Sequence, residues 1–295
     1  MKKIAIGILI ILLGLITWYL FLKKYDYVIT FKANLAPLGV YHQVKRIESK
    51  INIEIATIDN TYLEQEIIIN DEAVILDWHF ESVKDTITKI KVGIISKEHS
   101  IQNRLKIITG SSSIVELVKE DLVDYRNELI RYTNTFKVIV NGETELPPME
   151  TLSVSSRVKR DSKAQEMMSQ NGYLYPKLLD SKVQRNGYPF VKINNWNLET
   201  DNIEMDFGFP VTYKDSLPVN SKIVYTKRNS QKALKATYYG NYRNSDEAWF
   251  VLLQYAASNN ILVKKEPLEV FYNDPMLDGN ELQWKAEIFL PIENR

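Results

Sequence analysis

Residues 4–22 read IAIGILIILLGLITWYLFL, nineteen residues without a charge. At about 1.5 Å per residue, a helix of that length reaches roughly 28 Å, close to the ~30 Å hydrocarbon core of a bilayer. Lys2 and Lys3 flank one end, Lys23 and Lys24 the other, and Trp18 and Tyr19 suit a membrane interface. Such a run must enter lipid, be removed as a signal peptide, or be buried. A signal peptide has a shorter apolar region followed by a small-x-small cleavage site, which Phe21-Leu22-Lys23 is not. A buried helix is rarely apolar all round. The sequence therefore predicts an uncleaved, single-pass anchor over 1–24 and a membrane location. The lysines are too evenly balanced to set its orientation.

Composition narrows the rest. At 295 residues the chain is long enough for two domains. Lys+Arg and Asp+Glu are equal at 37 each, so no long-range field draws nucleic acid, and no nucleic-acid partner is expected. There is no cysteine, which excludes disulfides, thiolate metal sites and Cys nucleophiles. His42, His79 and His99 have no metal-ligand spacing, and G-x-S-x-G, Walker A and G-x-G-x-x-G patterns are absent. No metal and no cofactor are expected.

From 25 to 140 the pattern predicts a strand at 27–31, a helix at 36–47 entered by Pro37, and strands at 51–58, 63–69, 74–81, 86–95 and 104–108. Val74, Leu76, Trp78 and Phe80 share one face; Asp77 and His79 share the other, read as solvated. Ser111 to Ser113 offer N-caps for a long helix over 114–132. Strand, Pro-led helix, antiparallel meander and closing helix resemble the helix-grip order of the START-like (SRPBCC) superfamily. That resemblance implies a domain able to hold an apolar ligand, with a filled core as the equal alternative.

Asn141-Gly142 and Pro147-Pro148 read as a turn and an extended stretch, so 141–150 is predicted to be a linker. Beyond it, 151–295 reads as strand (151–159), a helix over 163–186 broken near Asn171-Gly172 and Pro176, and strands at 188–197 and 202–211. A second unit opens at 222–226. Its helix, 246–258, carries Trp249, Leu252, Leu253 and Ala256 on one face, with Ser245 or Asp246 as cap. In the last strand Trp284, Ala286, Ile288 and Leu290 alternate with Lys285, Glu287 and Phe289, so one face can pack on the helix. The other carries a carboxylate beside an aromatic ring, as a pocket for an apolar cation requires.

The C-terminal motifs Tyr239-Gly240-Asn241-Tyr242, Pro267 to Pro275 and Glu287 to Ile292 resemble the GyrI-like small-molecule-binding domain, also called the AraC-type effector-binding domain. The resemblance is close over the last sixty residues and looser back to about Leu146. It implies a tandem strand-helix-strand-strand domain, so that with the anchor and the START-like order the expected chain is α+β: an N-terminal transmembrane helix, a START-like domain over 25–140, then the tandem domain. It also implies that Glu287 lies in a central pocket. Phe289, Tyr225, Trp196 and Phe207, each mid-strand, are candidate pocket aromatics. Glu269 belongs to the Pro-x-Glu-Val motif, and Tyr242 offers a loop-anchoring hydroxyl.

Three functions follow as expectations. One is a membrane-anchored receptor for a small lipophilic molecule, with a cation as one candidate. The second is a hydrolase in which Glu287 acts on a reactive compound. The third is a protein-interaction module.

Overall fold

The computed structural model describes residues 2–51, 55–59, 61–69, 71–110, 112–214, 217–277 and 279–293. The chain is α+β, with two antiparallel sheets and one N-terminal apolar helix. It divides into two compact units, Met1–Arg131 and Tyr132–Arg295.

The first unit opens with α1 (Lys2–Thr17), continued by a π-helical turn, Trp18–Leu22. Together, Lys3–Leu22 is long and apolar enough to cross a membrane, and none of it is buried. A five-stranded sheet follows, in the order β1-β5-β4-β3-β2. Its strands are β1 (Tyr27–Ala33), β2 (Ile55–Asp59), β3 (Tyr62–Ile69), β4 (Glu72–Lys84) and β5 (Ile87–Ser96). The helices are α2 (Pro37–Ile51), α3 (Ser100–Thr109) and α4 (Ser113–Thr133), the last crossing into the second unit. The alternation in 74–80 produces the core face: Val74, Leu76, Trp78 and Phe80 are all buried. Trp78 meets Tyr125 of α4 edge-on at 5.7 Å and donates to Gln65 Oε1 at 3.1 Å.

Two expectations fail here. Residues 104–108 are helix, not strand, because Ile101, Leu105 and Ile108 repeat at helical spacing. Asp77 is buried, not solvated, and accepts from Lys24 Nζ and Tyr25 Oη, each at 2.7 Å. Of the Ser111 to Ser113 caps, Ser111 lies outside the described residues, and Ser112 Oγ accepts from Val115 N–H at 3.5 Å. Of the strand expected over 51–58, residues 52–54 also lie outside them.

The second unit is an eight-stranded antiparallel sheet in the order β10-β7-β9-β8-β12-β13-β11-β6. Its elements in chain order are β6 (Phe136–Leu146), β7 (Met149–Lys159), α5 (Lys163–Asp180), β8 (Phe190–Asn197), β9 (Asn202–Pro210) and β10 (Ile223–Arg228). Then come β11 (Gln231–Gly240), α6 (Glu247–Ser258), β12 (Leu268–Phe271) and β13 (Lys285–Pro291). The expected linker is therefore largely strand. Asn141-Gly142 is a bulge rather than a turn: Lys235 pairs with Gly142 and Ala236 with Val140, leaving Asn141 unpaired, and Gly142 takes φ +88°. Helix α5 is not broken at Gly172 or Pro176; it runs on to Asp180. Pro176 forfeits only the hydrogen bond to the residue four before it, which is Gly172.

The connections dictate the shape of this sheet. β6 and β7 are joined by Pro147 and Pro148 alone, which allow about 11 Å between the Cα atoms of Leu146 and Met149. In a flat sheet these strands, six places apart, would be separated by roughly 29 Å. The same holds for β10 and β11, joined by Asn229 and Ser230. The sheet must therefore curl until its edges approach, leaving an inner and an outer face. Helices α5 and α6 cover the outer face, where Trp196 meets Trp249 of α6 at 5.4 Å.

Candidate functional site

Register assigns each side chain to a face. Glu287 stands opposite Val270 of β12 and Thr237 of β11; Val270 in turn stands opposite Phe190 of β8. One row over, Phe289 stands opposite Leu268 and Lys235. These residues line the inner face, where Leu146, Phe190, Ala233, Leu268 and Phe289 form a buried apolar cluster with Met149 and Val270 against it. A cleft of about 380 Å³ opens above this floor. The 144–149 connection forms one wall, and Tyr188, Val270, Tyr272 and Phe289 contribute its apolar surface.

At the polar end of the cleft sits Glu287. Tyr272 donates to it at 2.9 Å, and the ammonium groups of Lys235 and Lys285 lie at 2.9 and 2.8 Å. Burial pushes this carboxyl upward, but the hydrogen bonds from Lys285, Lys235 and Tyr272 outweigh it and bring it down to about 2. Burial and the bond to Glu287 push the Tyr272 phenol up to about 12. Aromatic rings hold the lysines in turn: Lys285 lies 4.3 Å above Tyr272 and Lys235 5.4 Å above Phe289. Tyr188 packs on Tyr272 with ring centroids 4.5 Å apart. Glu287 therefore ionises without a ligand cation, because the chain supplies two cations itself.

Of the six residues singled out from sequence, Glu287 and Phe289 meet in this cleft. The other four project to the outer face. Trp196 packs on α6. Phe207 stands opposite Val191 and Val154 and packs edge-on against Phe209. Tyr225 stands opposite Leu152, with its ring 5.3 Å from Tyr213. Glu269 is fully buried and accepts from Lys163 at 2.7 Å and Ser245 at 2.8 Å. Burial pushes the Glu269 carboxyl up, against the pull of Lys163 and Ser245. That bond draws Ser245 away from capping α6, and Asp246 is engaged by Arg160 instead. Tyr242 does anchor a loop: its hydroxyl donates to the Lys285 carbonyl and accepts from Asn273 N–H, both at 2.9 Å.

Lys235, Tyr188 and Tyr272 escaped sequence reading. Alternation carried part of the signal, since Lys235 has the parity of Thr237 in β11 and Tyr272 that of Val270 in β12. Among the described residues, no group of three or more His, Asp or Glu is placed to hold a metal ion.

No family model matches this sequence, and no curated protein does. Solved structures align with part of it. The crystal structure of the EcmrR C-terminal domain aligns over 54% of this chain and 99% of its own, at 16% identity and a TM-score of 0.46. The structure of SAV2435 bound to tetraphenylphosphonium aligns over 53% and 94%, at 11% identity and a TM-score of 0.38. A hydrolase from Listeria innocua aligns over 52% and 92%, at 11% identity and a TM-score of 0.36. At such scores the likeness assigns no function, which rests on the chain's own residues.

Proposed function

We propose that the second unit is a receptor for a small lipophilic molecule, bound in the inner-face cleft, and that the N-terminal helix anchors the chain in a membrane. The observation that carries this reading is the cleft itself. A concave, mainly apolar surface with a few convergent polar groups is the usual form of a small-molecule site. The motif resemblance to GyrI-like domains supports the same reading. In the first unit, buried Val40, Val44, Trp78, Val118 and Leu122 favour a spacer over a second carrier.

The charges at Glu287 set the ligand preference. One carboxylate faces two ammonium groups, so a lipophilic cation must displace a lysine to reach it. A neutral or weakly acidic aromatic compound need not, and it gains Lys235 or Lys285 as a donor. We therefore place such ligands ahead of the cation expected from sequence. Hydrolysis is the weaker reading, because a carboxylate held near 2 is a poor general base at neutral pH.

The test is thermal denaturation of the full chain in detergent micelles against neutral, acidic and cationic lipophilic compounds. A ligand at a hundred times its Kd stabilises by about 2.7 kcal/mol, a clear rise in Tm. Stabilisation by neutral or acidic compounds, weakened in Tyr272→Phe, supports the reading. A flat response across all three classes rejects it, and stabilisation by cations alone reverses the charge preference.

A further inference from the structure

Helix α3 presents a feature that ligand binding does not use. Ile101, Leu105 and Ile108 are 43%, 48% and 66% exposed. At spacings of four and three they form one apolar stripe along a ten-residue helix. Flanking the stripe, Arg104 is buried. Its Nε donates to Asp26 at 2.7 Å. Its two remaining nitrogens donate to the carbonyls of Tyr19 (3.1 Å), Leu20 (2.8 Å) and Lys23 (2.7 Å). Those are carbonyls at the C-terminal end of the apolar N-terminal segment, which a helix end leaves without intrahelical partners. One residue thus fixes α3 against the end of the segment at Leu22.

We propose that α3 is a membrane-surface helix, with Ile101, Leu105 and Ile108 seated in the headgroup–acyl boundary of the bilayer that the N-terminal helix enters. This rests on the membrane reading of residues 4–22 and extends it from a tether to a docked platform. The occupant is argued from position. Arg104 holds the stripe beside the point where the apolar segment ends, so a bilayer around that segment reaches α3 as well. Amphipathic helices of this kind bury their apolar face about 5–10 Å into that boundary. Lys106 on α3 and Lys23 beside it supply the positive charge that anionic headgroups attract.

The absence of cysteine makes the test direct. Single variants Leu105→Cys, Ile108→Cys, Leu13→Cys and Val83→Cys of the full chain are labelled with a polarity-sensitive dye. They are reconstituted in nanodiscs of phosphatidylcholine and phosphatidylglycerol carrying quenchers on shallow or deep acyl carbons. Val83 is the control. It lies at the far end of the β4–β5 hairpin, about 23 Å along the strands from Ile94, which pairs with Tyr27 near the membrane segment. The expected result is a loss of about half the fluorescence at Leu105 and Ile108 with the shallow quencher, as befits a boundary depth. Leu13 should respond to the deep one and Val83 to neither. Quenching at Leu13 with none at Leu105 or Ile108 overturns the inference and leaves the anchor standing. No quenching at Leu13 overturns both.

Discussion

Tyr272 donates its phenolic proton to Glu287 across 2.9 Å, from just beyond β12 to the middle of β13. With two lysines on the same carboxylate, the bond ties the cleft's polar end to the protonation state of one residue.

The first prediction concerns pH. Glu287 titrates near 2 in the folded chain, against an ordinary value of 4.5. A depressed pKa means that its stabilisation is present above about 4.5 and is lost as pH falls towards about 2. The contribution is on the order of 2 kcal/mol after allowing for solvent screening. Urea unfolding of wild type and Glu287→Gln should differ by that amount at pH 6 and converge near pH 2. A gap that is constant with pH is the contrary outcome.

Removing the resident cations should change ligand choice. Lys235→Met with Lys285→Met leaves Glu287 as the lone charge beside Tyr272 and Phe289. Lipophilic cations should then gain about tenfold in affinity, some 1.4 kcal/mol, while neutral ligands change little. Isothermal titration of both classes reads this, and equal shifts would count against it.

On the outer face, Lys163 and Glu269 form a fully buried pair, with the ammonium 4.6 Å above the Trp249 ring. Glu269→Ala strands a buried cation and should cost about 3–5 kcal/mol; replacing both partners with Met should cost much less. Chemical denaturation of the single and double variants gives the coupling directly. An additive result would mean that the pair does not act as a unit.

Gly208 stands opposite Phe190 and Ser153, and a Cβ there would run into the Leu152 carbonyl and Ser153. Gly208→Ala should therefore destabilise by about 1–3 kcal/mol through overpacking, without removing any polar contact. A Tm unchanged from wild type would show that the strands can separate to admit a methyl group.

Local periodicity made Glu287 and Phe289 legible, because a period of two fixes their face once β13 is recognised. It could not reveal Lys235 or Tyr188, which curvature and long-range pairing bring to the same cleft. The same limit explains the misplaced aromatics. Trp196 and Phe207 are mid-strand and buried, but strand position does not say which face the helices cover. Asn141-Gly142 and Pro147-Pro148 carry true breaker chemistry, spent on a bulge and a tight reversal inside a sheet. The composition of a linker and of a curled sheet's corner is the same; only pairing partners distant in sequence tell them apart.

The two repeats of the second unit are interleaved. β6 precedes the first repeat yet completes the sheet beside β11 of the second, and β10 precedes the second yet pairs with β7 of the first. Each half lends the other its leading strand. Neither half is self-sufficient, and a chain cut between Pro210 and Ile223 would yield fragments with exposed edges, each shaped to capture the other.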